Sequence, residues 1–152
     1  MILIAVVVLI FMPLGFYLIL RRAPRTSRFV LLVSTDEIAR KLVVSAARKI
    51  GYGTIHVYRY EDGIARLQQN GDLKMIIIDD SVPQYEAGLM LTMLKDSPIG
   101  VRPLILIVDK GEVGQTAPSY RAEVVVSRPL SDRALEDAIR QIHQRLEVLE
   151  SL

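Results

Sequence analysis

No charged side chain occurs between Met1 and Leu20, and then Arg21, Arg22, Arg25 and Arg28 follow in close order. An apolar run of about 20 residues, rising ~1.5 Å each as a helix, spans the ~30 Å hydrocarbon core of a bilayer. Every backbone N–H and C=O in that layer must be paired internally, so a helix is the expected form. Pro13 and Gly15 interrupt the run but are tolerated where neighbours satisfy the freed carbonyls. A cleaved signal peptide fits less well, because the basic n-region is missing and no Ala-x-Ala site precedes the arginines. A buried core helix rarely stays apolar on every face for so long. Residues 1–20 are therefore expected to be a single-pass transmembrane anchor, 21–27 a basic juxtamembrane linker, and 28–152 a separate domain. The positive-inside rule places that domain in the cytoplasm and the N-terminus outside. The linker Arg21–Ser27 reaches at most about 25 Å when extended, which keeps the domain near the membrane.

Composition narrows the function classes. The net charge is only +2, and no basic stripe follows the arginine cluster, so nucleic-acid binding has little support. Arg21, Arg22, Arg25 and Arg28 suit a lipid bilayer with anionic headgroups, at about 1 kcal/mol each near the surface. The absence of cysteine removes disulfides, thiolate catalysis and sulfur-ligated metals. A mean hydropathy of +0.31 mixes a lipid-facing segment with an ordinary soluble one.

Beyond the linker, five apolar runs alternate with helix-like segments. Phe29–Val33 reads as a buried strand. From Asp36 to Ile50, apolar residues recur at helical spacing, with Gly51 as the stop. Thr54–Tyr60 alternates, as an edge strand does, and Asp62–Gln69 reads as a short helix ended by Asn70-Gly71. Leu73–Asp79 is the third strand, followed by a helix from about Glu86 to Lys95. Leu104–Val108 and Val124–Val126 are the fourth and fifth strands. Ser131 or Asp132 caps a last helix whose Leu135, Ala138, Ile139, Ile142, Leu146 and Leu149 form one apolar stripe. Strands alternating with helices imply crossovers, a parallel sheet and helices on both faces.

Three short features, taken in order, resemble the receiver domain of bacterial response regulators. Asp79-Asp-Ser-Val-Pro83 ends strand three and is followed by Gly88-Leu-Met-Leu. This is similar to the family's phosphoacceptor aspartate, the proline four residues later and the glycine opening the next helix. Asp62-Gly63-Ile-Ala-Arg-Leu67 is similar to its N/D-G-x-x-A-L turn, and Ser127-Arg128-Pro129-Leu130 to its lysine-proline. The resemblance covers about residues 28–146. It implies a flavodoxin-like, doubly wound α/β fold, a five-stranded parallel sheet in the order 2-1-3-4-5.

The chemistry that the resemblance implies is phosphoryl transfer onto one aspartate with Mg²⁺, whose charge is needed when a carboxylate attacks an anionic phosphoryl group. The metal-binding acidic pair of the family falls on Ser34 and Thr35, which are weak neutral ligands. Asp36 and Glu37 follow, one step too late, as N-terminal acids of the helix. The family's switch threonine falls on Val108 and its lysine on Arg128, which keeps charge but not the ammonium geometry. Only Asp79 is unaltered, so the pocket Asp79, Ser34, Thr35, Val108 and Arg128 reads as vestigial, with Asp79 paired to Arg128. Asp80 is expected to point the other way and be solvated. Arg128-Pro129 is a candidate cis bond, like its family counterpart. His56 and His143 lack a second ligand at metal spacing, and Met90 and Met93 read as packing residues. No metal and no cofactor are expected.

Lys110–Glu123 contains Gly111, Gly114 and Pro118, which favours a loop over a full fourth helix. The last helix runs longer than a receiver needs, either as a frayed end or as a contact with another chain. These readings describe a non-catalytic, membrane-anchored pseudo-receiver in the inner membrane of a bacterium. Its expected role is as a structural or interaction subunit among the subunits of a larger membrane protein complex, for which a respiratory or photosynthetic assembly is a natural host. The alternative is a membrane-tethered degenerate response regulator in signalling.

Overall fold

A computed structural model describes residues 28–69, 71–81, 102–109 and 122–152. The anchor 1–20, the linker 21–27, the helix at Glu86–Lys95 with Met90 and Met93, and positions 110–121 lie outside the described residues. Among the described residues, no helix is long and apolar enough to cross a membrane.

Five strands are present: β1 (Phe29–Val33), β2 (Gly53–Val57), β3 (Leu73–Asp79), β4 (Leu104–Val108) and β5 (Val124–Ser127). They form one parallel sheet in the order β2-β1-β3-β4-β5, as the apolar alternation and the family resemblance predict. The described helices are α1 (Glu37–Ile50), α2 (Tyr60–Gln69) and α3 (Asp132–Glu150). Strands β1, β3 and β4 are apolar at nearly every position because both sheet faces are covered. On one face Val30, Leu32, Met75, Ile77, Ile105 and Ile107 pack against α1 and α3. On the other, Leu31, Val33, Ile76, Ile78, Leu106 and Val108 pack with Tyr60 and Leu67 of α2.

Local signals set the helix ends. The Asp36 side chain accepts from Ile38 N–H at 2.8 Å and caps α1. Gly51 closes that helix at φ 93°, where its N–H reaches Ala47 and Arg48 carbonyls. Ser131 caps α3, accepting from Ala134 N–H at 3.1 Å. Several boundaries differ from the sequence expectation, among them the start of β2 at Gly53 rather than Thr54 and of α2 at Tyr60 rather than Asp62. β2 ends at Val57 rather than Tyr60, because Tyr60 opens α2 and buries its ring, 2% exposed, under the sheet. β5 continues one residue further, to Ser127.

The chain goes from β1 outward to β2 on one side and, through β3, to β4 and β5 on the other. The carboxyl ends of β1 and β3 therefore flank the point where winding direction reverses, the place where open α/β sheets leave a crevice.

Candidate functional site

Asp79 is the last residue of β3, and its side chain is fully buried at that crevice. A buried carboxylate must be paired and hydrogen-bonded, and this one is. Ser34, directly after β1 and also fully buried, donates its hydroxyl to Asp79 Oδ2 at 2.7 Å. Arg128, directly after β5, donates Nη2–H to Asp79 Oδ1 at 2.5 Å, and Ser81 N–H adds a contact to Oδ1 at 3.2 Å. Ser34 Oγ in turn accepts from Asp36 N–H at 3.0 Å, and His56 Nε2–H donates to the Ser34 carbonyl at 2.8 Å. The turn after β1 is thus held from three directions.

Asp80 is a correction. It does not turn away into solvent: its Oδ1 lies 2.5 Å from Arg128 Nη1, and its Oδ2 accepts from Asp109 N–H at 3.0 Å. It stands one residue past the end of β3, where strand alternation no longer dictates which way a side chain points. Asp36 and Asp109 complete the ring around the guanidinium, at 3.5 Å and 3.6 Å. Among the described residues, Arg128 thereby meets every acidic side chain at the carboxyl ends of β3 and β4, together with the cap of α1. Sequence reasoning named the Asp79–Arg128 pair but missed Asp36, Asp80 and Asp109 as its companions. The available signal was position alone, since each of these acids stands next to an element that begins or ends at the same sheet edge.

The electrostatics follow from this packing. Burial pushes the Asp79 carboxyl up, but Arg128, Ser34 and the Ser81 N–H outweigh it and hold it below the ordinary aspartate range. Asp80 is raised, first by burial and then by the neighbouring Asp79. Burial alone would lower Arg128, yet Asp79 and Asp80 raise it, so it stays a fixed cation. Thr35 is exposed and contributes its backbone N–H to Ser81 Oγ at 3.3 Å. Val108 is buried in the apolar cluster and offers no polar atom. The Arg128-Pro129 bond is cis.

These residues do not fit a bound Mg²⁺. Hard divalent cations need several oxygen ligands that include carboxylates. Here the acids are already turned onto a guanidinium, and among the described residues no group of three or more His, Cys, Asp or Glu could hold a metal. Arg28, read as a headgroup contact, has protein partners as well: Glu147 at 3.2 Å and Glu150 at 3.3 Å. His143 Nδ1 shares a hydrogen bond with the Tyr52 hydroxyl at 2.9 Å.

No family model and no curated protein matches this sequence. Solved structures do match. The signal receiver domain of a Luxo repressor protein from Vibrio parahaemolyticus is 19% identical at a TM-score of 0.68, covering 81% of this chain and 95% of that one. A response regulator receiver domain protein from Clostridium thermocellum is 15% identical at a TM-score of 0.66, covering 80% and 98%. The chemotaxis response regulator CheY4 of Vibrio cholerae is 14% identical at a TM-score of 0.65, covering 76% and 98%. Such identities speak to fold alone, and with the strand order above they make this domain receiver-like in fold.

Proposed function

We propose that the chain is a non-catalytic pseudo-receiver, anchored in a bacterial inner membrane by residues 1–20, with its receiver-like domain on the cytoplasmic face. There it serves as a structural or interaction subunit of a larger membrane protein complex. The observation that carries the non-catalytic part of this reading is the Arg128 guanidinium seated on Asp79, and the anchor rests on the uncharged run 1–20. A phosphoacceptor needs one carboxylate oxygen free to attack and a metal cation to neutralise the charge of the phosphoryl group. Both Asp79 oxygens are engaged, and the cation beside them is tethered to the chain. With phosphoryl transfer lost, the scaffold has its surface left to work with.

Two experiments test the proposal. Incubation of the full chain with acetyl phosphate and Mg²⁺, followed by intact-mass measurement, is expected to give no adduct. An adduct that disappears in Asp79→Asn would restore the live-receiver reading. Purification in mild detergent is expected to bring partner subunits at fixed stoichiometry. Recovery with only a histidine kinase, or alone, would favour the signalling alternative.

A further inference from the structure

We infer that the strand-start end of the domain is a lipid-contacting surface, in which Val148, Leu149 and Leu152 enter the interfacial layer of an anionic bilayer. The inference rests on reading residues 1–20 as the anchor. In a parallel sheet every strand begins at one edge, and β1 begins at Phe29, so residues 1–27 join the domain at that edge. Helix α3 runs back to the same edge. Its end is fastened there by Arg28 to Glu147 and Glu150, and by Lys74 Nζ to Glu150 at 3.5 Å.

The apolar stripe of α3 ends on Leu149, and Val148 and Leu152 flank it at the helix end. Ile142 is 1% exposed, but Val148 and Leu149 are each 61% exposed and Leu152 is 99% exposed. Among the described residues only Ile38 and Tyr58 are otherwise large, apolar and exposed, so most of that surface is gathered at this one tip.

Charge identifies lipid as the occupant. The last turn of α3 has no basic residue of its own, and its two glutamates would repel anionic headgroups. Arg28 and Lys74 neutralise them. Arg48 and Arg66, exposed near the ends of α1 and α2, add cations at the same edge, against the acids Asp72 and Glu123 that precede β3 and β5. The opposite edge carries Asp36, Asp79, Asp80 and Asp109 around Arg128, with Glu37 and Asp132 opening α1 and α3 there beside Arg133. A negative surface therefore attracts one end of the domain and not the other. The linker's reach of at most about 25 Å keeps that end within range of the headgroups. Apolar side chains beside cations are the pattern of an interfacial contact.

The chain has no cysteine, so single-cysteine labelling is clean. Leu149→Cys, Leu152→Cys and Arg133→Cys, the last in the first turn of α3, would each carry an environment-sensitive fluorophore. The full chain is reconstituted in phosphatidylcholine–phosphatidylglycerol vesicles containing a spin-labelled lipid. Expected are blue-shifted, strongly quenched emission at 149 and 152, aqueous emission at 133, and loss of quenching at 149 when Arg28→Glu is added. Aqueous emission at 149 in vesicles that retain the chain through carbonate washing would overturn the inference and leave the anchor intact. A shielded but unquenched label would put protein there and overturn it too. A chain released by carbonate would remove the anchor reading, and this inference with it.

Discussion

Arg128 is one cation among four carboxylates, and the fully buried Asp79 depends on it most. Removing one partner of a buried pair leaves the other charge stranded, which costs about 3–5 kcal/mol. Arg128→Ala is expected to lose stability on that scale in urea denaturation; a variant as stable as the parent would mean that another group neutralises Asp79. Ser34→Ala removes a hydroxyl donor to a carboxylate and should cost about 1.5–3 kcal/mol. The pH dependence has a definite sign. Asp79 lies below its ordinary 3.8, so the unfolded chain binds more protons, and its stabilisation is full above that value and lost as pH falls through the folded one. Asp80 is raised, so its contribution declines instead as pH rises above 3.8. Asp79→Asn should therefore flatten the loss of urea stability in the acid range below about pH 4. An acid limb as steep as the parent's would assign that loss to other carboxylates. At this scale the sequence showed that Asp79 and Arg128 share a crevice. It did not show Asp80, whose direction depends on a turn beyond the strand's last paired residue.

Element boundaries were legible wherever the signal is local. Gly51 and Ser131 each act within a few residues of themselves, and both stand where the sequence places them. At Gly51 the obstacle to a side chain is backbone conformation alone, since an added Cβ meets nothing within 4 Å. Gly51→Ala should cost about 1–2 kcal/mol through its φ of 93°, and Ser131→Ala about 1 kcal/mol through the lost cap. Both are readable as shifts in thermal midpoint, and no shift for Gly51→Ala would mean that the helix end re-forms without the left-handed residue. The end of β2 was not legible from Thr54–Tyr60, because alternation continues through Tyr58 and Tyr60. Tertiary burial of Tyr60 under the sheet starts the next helix instead.

At the scale of the whole molecule, two apolar layers clasp one sheet. Ile77, fully buried in the central strand, should cost about 2–5 kcal/mol as Ile77→Ala. Removal of residues 1–27 should move the chain from the membrane to the soluble fraction, checked by sedimentation after expression; retention would mean that the domain itself holds the membrane. The presence and order of the strands, their alternation with helices and the caps were legible in the residue pattern, because apolar periodicity and capping chemistry act over a few neighbouring residues. Beyond the Asp79–Arg128 pair, which charges meet depends on the assembled fold. Asp36 and Arg128 lie 92 residues apart in sequence, and Arg28 and Glu150 lie 122 apart. Such partners attract only once they are a few ångströms apart, and that proximity is set by how every strand and helix between them packs.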